Sequence, residues 1–135
     1  MNRTVWLTRI LSIGGVLEIG VGLALLVAPS SLSSLLLRAP LEGAPVAIAR
    51  LGGGGLLALG IACWCARRAP STPAALGVSW GFLAYNVVAS VTLAWARPPL
   101  ASGGLPALGA SVLHGVLAVA LLGALTRRER SSSRQ

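Results

Sequence analysis

The sequence predicts an all-α fold: an integral membrane four-helix bundle with a short interfacial helix between helices 1 and 2. Three observations predict it. The chain of 135 residues is 55% hydrophobic and only 10% charged, with a mean hydropathy of +0.81, whereas soluble domains carry about 25% charged residues. Its apolar residues come in four long runs and do not alternate; runs of about 20 residues suffice to cross roughly 30 Å of hydrocarbon. Finally, each run contains one strongly polar residue, Glu18, Arg50, Asn86 or His114. A charge at the centre of a membrane helix costs about 2.5–3.5 kcal/mol on insertion scales, so such residues face inward and find partners.

The first span is expected at about 5–28, with Arg3 and Arg9 ahead of its apolar part and Pro29 at its end. Its basic start resembles a signal peptide, but Val27-Ala28-Pro29-Ser30 is a poor cleavage site and Glu18 interrupts the apolar centre, so the span is expected to be retained. Ser30 or Ser31 can cap the next helix. There Leu32, Leu35 and Leu36 fall at helical spacing away from Ser33, Ser34 and Arg38, as in a helix lying in the interface, and Pro40, Gly43 and Pro45 break it. The second span, about 46–66, contains Gly52-Gly53-Gly54-Gly55; in membranes small residues let a neighbouring backbone approach closely. Arg67 and Arg68 close it, and Pro70-Ser71-Thr72-Pro73 makes a turn. The third span, about 73–96, starts with a proline suited to a first helical turn and stops at Arg97-Pro98-Pro99. The fourth covers about 105–125. Residues 1–126 thus read as a single transmembrane domain, and 127–135 as a disordered basic cytoplasmic tail.

The net charge is +8 and all eleven Lys/Arg positions are Arg. Arg3, Arg9, Arg67, Arg68, Arg127, Arg128, Arg130 and Arg134 fall on one side of the predicted bundle, and Arg38, Arg50 and Arg97 on or near the other. This bias predicts a multi-pass protein of the cell inner (plasma) membrane with both termini cytoplasmic. The arginines sit at span ends and are not interleaved with aromatics, which argues against nucleic-acid binding. Cys63-Trp64-Cys65 is neither a redox nor a zinc pair, and its thiols would point about 200° apart on a helix. No Walker loop, Gly-x-Ser-x-Gly or His-Glu-x-x-His motif is present, and the four-glycine run lies inside an apolar span, unlike a phosphate loop. No metal, cofactor or catalytic set is therefore expected.

The polar residues define the candidate site. At ~1.5 Å per residue, Glu18 and Asn86 lie about 15 Å from the outer ends of their spans, His114 about 13–14 Å and Arg50 about 6 Å. Each shares a face with small residues: Glu18 with Gly15 and Gly22, Arg50 with Ala47, Gly53 and Gly54, Asn86 with Ser79 and Ser90, His114 with Ala107, Ala110, Ser111 and Ala118. Glu18, Arg50, Tyr85, Asn86 and His114 are the candidate ligand-binding layer. Two arrangements fit. In one, Glu18 pairs with Arg50 while Tyr85, Asn86, Ser90 and His114 satisfy one another and fix helix register. In the other, the layer lines an outward-opening cavity in which Asn86 and His114 orient a polar headgroup. Trp6, Trp64 and Trp95 sit near span ends as an interfacial belt does, and Trp80 and Phe82 lie deeper, near Tyr85, where they either pack or wall a pocket, packing being the expectation.

Leu17-Glu18-Ile19-Gly20-Val21-Gly22, Pro29 after the first span, Ala49-Arg50-Leu51-Gly52-Gly53, Tyr85-Asn86 and His114 together resemble small bacterial four-helix membrane proteins that are DoxX-like in the broad sense. The resemblance covers about residues 5–125. It implies a four-helix membrane bundle of a kind sometimes associated with quinone or thiol oxidoreductase systems, and it carries over no catalytic residues. The expected function is a non-catalytic membrane subunit or a binder of a lipid or quinone-like molecule, with the bilayer as environment and a membrane protein partner or a second copy as further partners. The alternatives are a proton-coupled transporter using Glu18, since one Glu in the first of four helices is similar to the small multidrug resistance family, and an intramembrane acid/base enzyme using Glu18 and His114.

Overall fold

The structure, a computed structural model, describes residues 2–100 and 104–126. The stretch 127–135, expected to be a disordered tail, lies outside the described residues. The described residues form five α-helices: α1 (Arg3–Val27), α2 (Pro29–Leu37), α3 (Ala44–Ala66), α4 (Pro73–Ala96) and α5 (Leu105–Thr126). All but α2 are long and apolar enough to cross a membrane. At 22–25 residues, each rises about 33–38 Å.

Prolines and short polar side chains set the boundaries. The Asn2 carboxamide accepts from Thr4 N at 3.3 Å and caps α1. Ala28, which precedes Pro29, leaves the helical region (φ −136°, ψ 58°), because a following proline ring crowds the helical conformation. Pro29 then opens α2 directly, and no serine caps it. This corrects the cap expected at Ser30 or Ser31. Ser30 Oγ donates instead to the Leu41 carbonyl, and Ser33 Oγ donates to the Ala39 carbonyl at 2.6 Å. Arg38 adopts a left-handed conformation and ends α2, its N–H donating to Ser34 O. Gly43, at φ +62° and ψ −134°, occupies a region open essentially to glycine alone and turns the chain into α3. Thr72 caps α4 by accepting from Ala75 N at 3.3 Å, and Arg97, ahead of Pro98, is extended where α4 stops.

The long helices pack most extensively as two pairs, α1 with α3 and α4 with α5. Glycines set the first pair. A Cβ on Gly22 would lie 2.7 Å from Leu57 N, and one on Gly60 would lie 2.8 Å from Gly15 O; the two backbones touch where side chains are missing. Of the four-glycine run, Gly53 alone meets α1, while Gly52, Gly54 and Gly55 face open space. In the second pair the serines are reciprocal: Ser90 Oγ donates to Ser111 O at 2.9 Å and Ser111 Oγ to Ser90 O at 2.8 Å. The half of the bundle nearest the two ends of the described chain is filled by Leu7, Ile10, Leu11, Phe82, Leu121 and Ala124, with Cys63 among them. Cys63 and Cys65 are free thiols, one buried and one exposed.

Candidate functional site

The other half of the bundle is hollow. A cavity of about 550 Å³ lies between the two helix pairs under α2, within the range typical of small-molecule sites. Its deep end holds the three ionisable groups of the wall among the described residues, Glu18 from α1, Tyr85 from α4 and His114 from α5. Above them the wall is almost entirely apolar: Val21 and Leu25 of α1, Val88, Ala89 and Leu93 of α4, and Ala110 and Leu113 of α5. Leu32, Leu36 and Leu37 of α2, with Leu41 beyond it, close the top. Among the described residues, Thr92 and Ser33 are the remaining polar side chains of the wall.

The floor is a connected set. Glu18 is 2% exposed, and the Tyr85 hydroxyl is the polar group that interacts with its carboxyl. The Tyr85 ring meets the His114 ring edge-on, with centroids 5.5 Å apart and planes at 87°. Asn86 is fully buried behind them. Its Nδ2 donates to the Phe82 carbonyl at 2.8 Å, and its Oδ1 lies 2.9 Å from His114 Nδ1. These two contacts fix the imidazole tautomer. The Phe82 carbonyl can only accept, so the amide nitrogen must face it. The amide oxygen, also only an acceptor, then faces Nδ1, which must carry the hydrogen. In the neutral ring Nε2 keeps its lone pair, and no protein donor among the described residues reaches it.

Four of the five residues expected from sequence thus come together, Tyr85, Glu18 and His114 on the cavity and Asn86 as the support behind His114. Arg50 does not join them. It is exposed on α3, it is absent from the cavity wall, and Glu18 is partnered by Tyr85 in its place. Register explains this. Gly22 meets Gly53 and Gly15 meets Gly60, so in this antiparallel pair Arg50 falls level with Leu25, about 10 Å along the axis from Glu18. Trp80 is half exposed and Phe82 fully buried in the core, and neither lines the cavity. Sequence reasoning missed the part played by α2. Its Leu32 and Leu36 were legible as one apolar stripe, but a stripe fits a cavity roof as well as it fits a membrane interface.

No cluster of three or more His, Cys, Asp or Glu able to hold a metal occurs among the described residues. No protein-family model, curated protein or solved structure matches the chain.

Proposed function

We propose that this small multi-pass membrane protein binds an amphiphilic molecule, a lipid or a quinone-like compound, in the cavity between its helix pairs. The observation that carries the reading is the cavity's polarity: an apolar shaft of bilayer-like side chains ending on Glu18, Tyr85 and His114. Such a shape accepts an apolar tail along the shaft and a polar head at the floor. Polar groups at membrane depth are retained where they face a cavity or one another, and this layer does both.

In this reading the protein sits in a plasma membrane with both termini cytoplasmic, as the arginine bias favours, and the α2 end of the cavity faces outward. It acts as a non-catalytic subunit or carrier, in keeping with its resemblance to DoxX-like bundles, alone or with a membrane protein partner or second copy. Transport through Glu18 is the weaker reading. It needs a second state open to the other face, where in this structure Leu7, Leu11, Phe82 and Leu121 are fully buried. The test is mass spectrometry of small molecules retained through gentle purification. A defined amphiphile present in the wild type and lost in Glu18→Gln/His114→Ala is the expected result. Identical bulk lipid in both proteins would leave the layer as interhelical glue.

A further inference from the structure

Resting on the reading of the cavity as a binding site and narrowing it, we infer the chemistry of the head it selects: an uncharged group that donates hydrogen bonds, that is, a hydroxyl-bearing amphiphile such as a long-chain alcohol, and neither an anionic headgroup nor an oxidised quinone ring, whose carbonyls only accept. The floor offers acceptors. His114 presents the Nε2 lone pair, because Nδ1–H is committed to Asn86 Oδ1, which is itself held in orientation by the Phe82 carbonyl. The Tyr85 hydroxyl interacts with Glu18, and its oxygen has lone pairs for an incoming donor. The Glu18 carboxyl has two oxygens, and Tyr85 occupies part of their capacity.

Among the described residues no cation answers these acceptors: none of those lining the cavity is Arg, and Arg50 stands exposed at a different level of α3. A phosphate or carboxylate entering the shaft would meet a carboxyl group and two acceptors with nothing to neutralise it, and a buried unpaired charge is strongly disfavoured. A hydroxyl donates to one acceptor and has no charge to bury. A quaternary ammonium brings charge but no N–H, so it satisfies neither the imidazole nor the phenol.

Three probes with one tail length test this on the purified full chain in detergent, with bound fraction read by native mass spectrometry: hexadecanol, hexadecanoate and hexadecyltrimethylammonium. Hexadecanol is expected to bind at least about tenfold more tightly than either charged probe, the size of effect that leaving a buried polar group unpaired produces. Glu18→Gln, nearly the same shape, is expected to narrow the gap to hexadecanoate, because it removes the carboxyl and adds an N–H. His114→Phe keeps a ring and is expected to weaken hexadecanol alone. Ala89→Trp, which fills the shaft, is expected to abolish retention of all three. Equal binding of the three probes, or an order led by a charged one, overturns the head selectivity while the cavity remains a binding site. Binding of none, or binding that Ala89→Trp leaves intact, overturns the cavity reading itself.

Discussion

The two halves of this bundle are made of similar residues and yet are built differently. Below the floor, Leu7, Leu11, Phe82 and Leu121 are fully buried and fill the space among the helices. Above it, leucines and valines of the same kind line a cavity of about 550 Å³. Hydrophobicity cannot explain the difference, because lipid tails are as apolar as leucine and give no drive to collapse. What separates the halves is where the backbones are allowed to meet. Gly15, Gly22, Gly53 and Gly60 hold α1 on α3, and Ser90 with Ser111 holds α4 on α5. The pairs are thus fixed internally. Between them, Phe82 wedges against Gly14 on the packed side, while on the other side the two pairs stand apart around the cavity.

The comparison breaks most easily at Phe82. Phe82→Ala removes the largest fully buried side chain and is expected to cost about 3–5 kcal/mol, as large-to-small core changes do. Leu36→Ala in the roof is expected to cost less than about 1 kcal/mol, because one side of that leucine already faces empty space. Thermal unfolding in one detergent measures both. Similar losses at the two positions would mean that the hollow half is filled in solution.

The helix pairs are the next place to break it. Gly22→Ala drives a methyl to 2.7 Å from Leu57 N and 2.8 Å from Gly53 O, backbone atoms that cannot swing aside, and is expected to cost about 1–3 kcal/mol. Gly20 lies two residues away with nothing within 4 Å of its Cβ position. Gly20→Ala is therefore expected to be neutral or slightly stabilising, since alanine is the better helix former by up to about 1 kcal/mol. If both changes are harmless, the α1–α3 contact does not depend on its glycines.

Much of this was legible before any coordinates. Four apolar runs broken by Pro29, Pro73 and Pro98 announce four helices, because hydrocarbon forces each span to satisfy its own backbone. Glu18, Asn86 and His114 stood out for the same reason, as polar groups in runs that should contain none. Arg50 misled. Its side chain is long enough to point inward or outward from one backbone position, and only the glycine register of α1 on α3 decides between them. The cavity was legible only as one of two arrangements of the polar layer, and its apolar wall was not, since a leucine facing a void and a leucine facing lipid look alike in a sequence.

Within the floor, Asn86→Leu sharpens the comparison. The change keeps bulk in the fully buried site but leaves His114 Nδ1–H without its acceptor. The expected loss is about 1 kcal/mol, within the range measured for interhelical polar contacts in membranes, so the fold should survive. The sharper effect is expected on the ligand. An imidazole released from Asn86 no longer keeps its hydrogen on Nδ1, and retention of hexadecanol should fall with little change in helix content by circular dichroism. Unchanged retention would show that the tautomer does not matter to binding.

The smallest effect concerns the roof. Between Leu37 and Ala44 the chain is held back onto α2 by two side chains, Ser33 Oγ on the Ala39 carbonyl at 2.6 Å and Ser30 Oγ on the Leu41 carbonyl. Leu41 is itself part of the cavity wall, so these bonds bear on how often the roof opens. Ser33→Ala removes one of them, with an expected loss of about 0.5 kcal/mol, the low end for a net hydrogen bond. That is about a twofold change in an opening equilibrium, too small for thermal unfolding but readable as a rate. With Cys65, the exposed thiol, replaced by serine, a Thr92→Cys probe inside the cavity should react with a water-soluble maleimide about twice as fast in the Ser33→Ala background. The same change at Ser30 should act similarly. If neither alters the rate, the roof is held by Leu32 and Leu36 against the helices beneath, and a ligand enters sideways from the bilayer, between the helix pairs.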